Sequence, residues 1–191
     1  MNATQPYSLG ILAGGQGVRW GGRDKGLIAF QGLPLVGRLL EPRPQAAEKV
    51  LICCRDNPRF YQHYGDRVLC ETAPNKGPCA GITALLAATE SATLMVLPVD
   101  LIGAPQAAIR ALEKAWRAED TAIVLVDQEG RHSPCLRLRL ESRVACEEYL
   151  DQGGRKLTGL LAAVDARAVT VNTGWLTDAN HPDALPAHEP D

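Results

Sequence analysis

Short, uninterrupted apolar runs are the feature of this sequence that most constrains its fold. Runs such as Val124-Leu125-Val126 are apolar at every position, which is typical of strands covered on both faces in a parallel sheet. Strands are predicted over residues 7–12, 50–54, 67–69, 94–97, 123–126 and 168–171. Segments with helical character lie between them, over residues 34–40, 80–89, 106–116, 142–151 and 155–163. The alternation predicts an α/β fold in which helices cover both faces of a mostly parallel sheet.

The length and charge of the chain limit the classes of protein to consider. Its 191 residues predict one domain over residues 1–191, with a core at about 7–185 and a polar tail at 186–191. The formal net charge is -2 and the basic residues are dispersed, so nothing indicates a nucleic-acid partner. No apolar run approaches the roughly 20 residues of a membrane span, and no signal peptide is recognisable. We therefore expect a cytoplasmic protein with no nucleic-acid or membrane partner.

The six cysteines indicate neither a disulfide framework nor a metal site. None forms a Cys-x-x-Cys pair, and Cys53 and Cys54 are adjacent, which does not suit an ordinary disulfide. Most of the cysteines lie in apolar runs, so we expect buried free thiols. The four histidines add no ligand spacing that would indicate structural zinc.

A glycine-rich segment follows directly after the first predicted strand. It starts at residues 12–15, contains Arg19 and ends at Lys25. Glycines let backbone N–H groups approach phosphate oxygens closely, and arginine and lysine neutralise the charge that remains. The segment is not a P-loop, because Gly26 rather than serine or threonine follows the lysine, and it lacks the Gly-x-Gly-x-x-Gly spacing of dinucleotide-binding loops. The sequence therefore predicts a loop that binds a polyphosphate.

A carboxylate follows the fourth predicted strand. Asp100 comes just after the apolar run at residues 94–97, at the edge of the sheet where loops and ligands gather. Magnesium takes one or two protein carboxylates and fills its other positions with water and phosphate oxygens. Asp100 is therefore a candidate Mg²⁺ ligand, and the alternative is a cap of the following turn. The glycine-rich segment in the same chain favours the metal ligand.

Two other motifs have open interpretations. Residues 77–82 begin a predicted helix, whose free amides and dipole would suit a phosphate or a base, or they form a simple junction between loop and helix. The sequence Asn-His-Pro-Asp at residues 180–183 resembles the Asn-Thr-Pro-Glu or Asn-Thr-Pro-Asp motif that ends many nucleotidyltransferase domains. The resemblance implies that Asn180 is a second oxygen ligand or a contact to the phosphate acceptor, and the alternative is an ordinary turn.

A hydrolase pair at His132 and Ser133 is not favoured. The two residues are adjacent, no Gly-x-Ser-x-Gly elbow surrounds the serine, and no third partner is evident. We predict that they lie in a surface turn.

The glycine-rich segment resembles the Leu-x-Gly-Gly…Arg…Gly…Lys signature of nucleotidyltransferases, which move a nucleoside monophosphate onto a phosphate acceptor. The matching residues are Leu12, Gly14, Gly15, Arg19, Gly21 or Gly22, and Lys25. Within that class, the chain resembles the molybdenum cofactor guanylyltransferases from Leu9 to about Leu185. The motifs that carry this resemblance lie at residues 12–15, 22–25, 30–35, 77–81, 97–100 and 180–182.

The resemblance implies a single Rossmann-like nucleotidyltransferase domain and a Mg²⁺-dependent reaction. GMP from GTP would be joined to the phosphate of molybdopterin-bound molybdenum, with release of pyrophosphate. Lys25, Arg19 and Asp100 would be catalytic, Asp100 would hold the metal and Asn180 would contact the acceptor. The implied GTP-binding residues are Leu12, Ala13, Gly14, Gly15, Lys25, Cys53, Glu71 and Asp100.

Two of these positions depart from the family pattern, and two other functions stay open. Cys53 stands where an asparagine is usual and Glu71 where an aspartate is usual, so Cys53 lacks the donors and acceptor of an amide. One alternative is a relative that uses CTP on the same cofactor, or another small nucleotidyltransferase. The other is a non-catalytic carrier of the pterin or the nucleotide. The candidate protein partners are a molybdenum insertase and molybdoenzyme chaperones.

Overall fold

The apolar runs of the sequence form one large sheet in the computed structural model, which describes residues 5–15, 21–70 and 77–179. The strands are β1 (Tyr7–Ala13), β2 (Ala29–Phe30), β3 (Leu33–Pro34), β4 (Ala47–Cys54), β5 (Arg67–Cys70), β6 (Thr93–Pro98), β7 (Ala122–Val126), β8 (His132–Arg139) and β9 (Ala166–Thr170). Seven of them pair in the order β5-β4-β1-β6-β8-β7-β9, and β2 and β3 form a separate antiparallel pair. All six predicted strands are confirmed, whereas β2, β3 and β8 were not predicted. The predicted tail at residues 186–191 lies outside the described residues.

Most of the sheet is parallel, as predicted. Strands β5, β4, β1 and β6 are parallel to their neighbours, and β9 is parallel to β7. Strand β8 lies between β6 and β7 and is antiparallel to both. The carboxyl ends of β1, β4 and β6 therefore meet at one edge of the sheet, where an open α/β sheet binds its ligands.

Helices cover both faces of the sheet. They are α1 (Leu35–Leu39), α2 (Pro58–Tyr61), α3 (Gly77–Ala87), α4 (Pro105–Ala115), α5 (Arg143–Asp151) and α6 (Leu157–Ala163). Helices α1, α2 and α4 pack on the face that carries Leu9 and Ile11, and α3, α5 and α6 pack on the face that carries Val96. Removal of both faces from water is the main stabilising contribution. All five predicted helices are confirmed, α2 was not predicted, and none of the described helices is long and apolar enough to cross a bilayer.

The prediction of a surface turn at His132 and Ser133 is wrong, because both residues belong to β8. Two arginines interrupt the apolar pattern of this strand, which hid it from the sequence analysis. One of them, Arg137, is 1% exposed and donates through Nη2 to Thr93 Oγ1 over 2.9 Å. Its guanidinium also lies 4.8 Å from the ring centre of Trp116. An arginine with these partners takes the place that an apolar residue would have in an ordinary buried strand.

Candidate active site

A cavity of about 470 Å³ opens at the carboxyl ends of β1, β4 and β6. The structure brings seven of the predicted site residues into its lining, although they come from four separate parts of the chain. These residues are Leu12, Ala13, Gly14, Gly15, Lys25, Cys53 and Asp100. The other three predicted site residues, Arg19, Glu71 and Asn180, lie outside the described residues.

The two charged side chains predicted from the sequence meet inside this cavity. Lys25 Nζ donates to Asp100 Oδ2 over 2.7 Å. The two side chains are only 16% and 18% exposed, so the surrounding protein screens their charges less than bulk water would. A cation and an anion therefore stand together beside the glycine-rich end of β1. Such a pair suits a ligand that carries both phosphates and a metal ion.

The backbone around Asp100 is fixed by neighbouring segments. Val99 N donates to Leu12 O over 3.0 Å, and Ala179 N donates to Asp100 O over 2.8 Å. Leu101 also forms an antiparallel bridge with Asp178. Among the described residues no backbone N–H donates to the Asp100 carboxylate, which is the contact that a turn cap requires. The carboxylate is instead directed at Lys25.

Lys25 is held in place by a contact network that the sequence analysis missed. The Asp24 carboxylate accepts from Tyr61 Oη over 2.5 Å, from Gly26 N over 3.1 Å and from Asn57 Nδ2 over 3.2 Å. Tyr61 is fully buried, and its burial, together with the hydrogen bond to Asp24, raises the pKa of the phenol. The phenol therefore stays protonated and keeps donating. The 3₁₀ turn Lys25–Leu27 is thus tied to α2.

Gly26 makes this network sterically feasible. A Cβ at position 26 would lie 2.2 Å from Tyr61 Oη, closer than any real contact. Only glycine allows the backbone after Lys25 to approach the phenol so closely. The residue that excluded a P-loop is therefore required here for packing.

The first turn of α3 forms another wall of the cavity. Gly77, Pro78 and Gly81 line it. A Cβ at Gly81 would lie 2.7 Å from Leu12 Cδ2, so glycine allows the helix to pack directly against the end of β1. The first backbone N–H groups of a helix have no partner within the helix, and they carry its positive dipole end. The segment at residues 77–82, for which the sequence left two interpretations open, therefore contributes residues to the cavity lining.

The end of β4 forms the wall opposite Asp100. Cys53 is 2% exposed and pairs in register with Leu12 of β1. Arg55 also lines the cavity, and its Nε donates to Asp56 Oδ2 over 2.9 Å. The sequence analysis did not identify Arg55, because a single arginine after a strand has no diagnostic spacing. Its position in the cavity could be known only from the sheet order.

The described residues offer a metal ion a single carboxylate in this cavity. No group of three or more His, Cys, Asp or Glu side chains that could hold a metal occurs in residues 5–15, 21–70 and 77–179. One carboxylate fits Mg²⁺, because that ion fills its remaining positions with water and phosphate oxygens.

The Ser133 hydroxyl donates to Cys135 Sγ over 3.2 Å, which does not orient it toward the adjacent His132.

Comparisons with known proteins agree with this geometry. Residues 9–169 match the family described as the MobA-like NTP transferase domain. A protein of Pseudomonas paraeruginosa named molybdenum cofactor guanylyltransferase is 33% identical over 192 aligned residues, which cover 98% of this chain and 96% of that protein.

Two solved structures share the fold. The molybdopterin-guanine dinucleotide biosynthesis protein A of Archaeoglobus fulgidus has a TM-score of 0.74 at 20% identity, covering 93% of this chain and 94% of that one. The inositol-1-phosphate CTP transferase of T. maritima has a TM-score of 0.78 at 14% identity, covering 97% and 93%. At these identities the two structures support the Rossmann-like nucleotidyltransferase fold alone.

The fold, the cavity and the relatives together define the class of this protein as a nucleotidyltransferase. The chain belongs to the MobA-like NTP transferase family, which its match over residues 9–169 establishes.

Proposed function

We propose that this chain transfers GMP from GTP to the phosphate of molybdopterin-bound molybdenum and releases pyrophosphate. The observation that carries the proposal is the Lys25–Asp100 pair beside the glycine-rich end of β1. The names of the relatives support GTP as the donor and molybdopterin as the acceptor.

The reaction requires alignment and charge neutralisation rather than a general base. The attacking group is a phosphate oxygen that is already ionised near neutral pH. A bond forms between this oxygen and the α-phosphorus of GTP, while the bond from the α-phosphorus to pyrophosphate breaks. Lys25 neutralises phosphate charge, and the backbone N–H groups of Gly14 and Gly15 donate to the phosphate oxygens. The cavity supplies these groups without a serine–histidine or cysteine–histidine pair.

Asp100 would hold Mg²⁺ through its carboxylate. When bound, the ion supplies a positive charge that offsets the charge of the transferred phosphate and orients its oxygens. Lys25 lies next to the same carboxylate, so its ammonium would neutralise phosphate charge beside the residue that holds the ion.

The remaining predicted residues complete the proposal. Arg19 would neutralise further phosphate charge, Cys53 and Glu71 would contact the nucleotide, and Asn180 would contact the acceptor. A molybdenum insertase and molybdoenzyme chaperones stay the candidate protein partners.

Release of pyrophosphate is the direct test. The full chain is incubated with Mg²⁺ and molybdenum-loaded molybdopterin, and GTP, CTP, ATP and UTP are compared in parallel. We expect release with GTP. A preference for CTP would place the protein in the cytidylyl branch, and binding of GTP without release of pyrophosphate from any of the four would make it a carrier.

A further inference from the structure

Arg55 is a charged side chain of the cavity for which the proposed function gives no role. It follows β4 directly, lines the cavity and is 32% exposed. Its Nε donates to Asp56 Oδ2 over 2.9 Å, which restrains one edge of the guanidinium. Within the described part of the chain, its two terminal amino groups have no hydrogen-bond partner. Arg55 therefore presents paired donors at the cavity wall.

Arg55 and the Lys25–Asp100 pair stand on opposite sides of the end of β1. Strands β4 and β6 flank β1, and neighbouring strands lie about 4.8 Å apart, so the ends of β4 and β6 are roughly 10 Å apart. A nucleotide that places its phosphates at Lys25 and Asp100 is long enough to reach β4 with its base. The wall at β4 is therefore within reach of the base.

Few side chains of this wall, or of the adjoining wall formed by α3, are able to distinguish one base from another. Gly77, Pro78 and Gly81 have no polar side chain, and the nearly buried Cys53 has only a thiol, which is a weak donor. Among the described residues, Arg55 is thus the strong side-chain donor beside the proposed base. Guanine presents two acceptors, N7 and O6, on one edge, whereas adenine presents N7 next to an amino donor.

We propose that Arg55 selects guanine by donating from its guanidinium to N7 and O6 of the base. The planar fork of the guanidinium matches the two adjacent acceptors of guanine. The amino group of adenine would face the same donors and be rejected. This inference rests on the proposed function, because it assumes that the phosphates lie at Lys25 and Asp100.

Equilibrium binding of nucleotide analogues to the full chain tests the contact. Titration calorimetry with Mg²⁺ compares GTP, 7-deaza-GTP (which lacks the N7 acceptor) and ATP. For the unmodified protein we expect GTP to bind roughly 10-fold more tightly than 7-deaza-GTP, since a hydrogen bond to a charged donor is lost. In Arg55→Ala, GTP should bind roughly 10-fold more weakly or worse, and the preference over 7-deaza-GTP should disappear.

The matched control is Arg143→Ala, which removes an exposed arginine of α5 outside the cavity. It should leave all three affinities unchanged, and melting temperatures should show that every variant is folded. The inference is overturned if Arg55→Ala keeps the GTP preference, or if GTP and ATP weaken equally in that variant. The last result would make Arg55 a phosphate ligand.

The outcome is separable from that of the proposed function. A protein that shows Arg55-dependent binding of GTP, yet releases no pyrophosphate from GTP and molybdopterin, would contradict the transfer reaction and retain the base contact. A protein that releases pyrophosphate from GTP, with unchanged selectivity in Arg55→Ala, would retain the reaction and contradict the base contact.

Discussion

The two halves of the sheet differ in how they use charged side chains. In the half formed by β5, β4, β1 and β6, charged side chains line a cavity. In the half formed by β8, β7 and β9, charged side chains are hydrogen-bonded to other groups of the protein. We call these the cavity half and the enclosed half. In the cavity half, Lys25 and Asp100 meet over 2.7 Å at the edge of the sheet. In the enclosed half, Arg137 lies within the sheet and is bonded to Thr93.

A second charged group in the enclosed half is also hydrogen-bonded to other groups of the protein. Arg167 donates to both carboxylate oxygens of Asp120, over 2.8 Å to Oδ1 and 2.6 Å to Oδ2. Arg117 N donates to the same carboxylate over 2.7 Å. The contrast teaches that burial of a charged group does not by itself identify a site in this fold. The position at the carboxyl ends of parallel strands does.

Replacement of Asp100 is the strongest test of the comparison. In Asp100→Ala, we expect Mg²⁺-dependent pyrophosphate release to fall by at least about 1000-fold, because the proposed metal ligand is lost. The melting temperature should change little, because backbone contacts fix this segment. Steady-state kinetics and thermal melting measure the two effects. A sharp fall in melting temperature with activity retained in the folded fraction would show that Asp100 is structural.

Loss of the Lys25 ammonium should have a slightly smaller effect on activity. Lys25→Ala should remove about 2–4 kcal/mol of transition-state stabilisation, the scale of one oriented charged contact. The value follows from kcat/KM for GTP in the variant and the unmodified protein. Lys156→Ala removes an exposed lysine and serves as the control. An unchanged kcat/KM in Lys25→Ala would contradict the assigned role of the glycine-rich segment.

The enclosed half should respond in stability rather than activity. Arg137→Ala should lower the free energy of unfolding by about 2–3 kcal/mol, because Thr93 Oγ1 loses its partner and a space opens beneath Trp116. Urea unfolding measures the loss, and kinetics on the folded variant should show an unchanged KM for GTP. Arg137→Met keeps much of the volume and should cost less. A large rise in KM for GTP without a loss of stability would contradict the purely structural role of Arg137.

The smallest expected effect is a pH dependence of stability from Asp120. The hydrogen bond from Arg167 lowers the pKa of this carboxyl below its ordinary value of about 3.9. Its contribution is therefore complete above that ordinary value and is lost as the pH falls through the lowered pKa. Asp120→Asn should lose about 1 kcal/mol at pH 7, and the difference from the unmodified protein should shrink below about pH 4.

Urea unfolding across this pH range measures the difference. Asp151→Asn, which changes an exposed carboxylate, should show no such trend. A stability difference that stays constant down to acid pH would show that the charge of Asp120 is not what stabilises the fold.

The sequence was sufficient to predict the cavity half of the fold but only part of the enclosed half. Continuous apolar runs, as at residues 94–97, reveal a strand directly, whereas Arg137 and Arg139 gave β8 a polar appearance. The partners that make such arginines tolerable, including Thr93, are remote in sequence. The spacing of apolar and polar residues along the sequence does not reveal these contacts.

The site was predictable where residue type and spacing carried the chemistry. Lys25 and Asp100 were found in this way, and the structure brings them together. The Asp24–Tyr61 bond and the place of Arg55 were not found, because each depends on which strands and loops become neighbours. Arg19, Glu71 and Asn180 stay predictions.

The pairing of Ala179 with Asp100 has a consequence for the order in which the protein is made. The glycine-rich segment and Asp100 leave the ribosome well before Ala179, whose backbone N–H donates to the Asp100 carbonyl. Contacts between segments so far apart in sequence close late, since the intervening loop must first be ordered. A nascent chain therefore carries Lys25 and Asp100 before this anchoring is finished, and the backbone of Asp100 gains its donor only once Ala179 has been made.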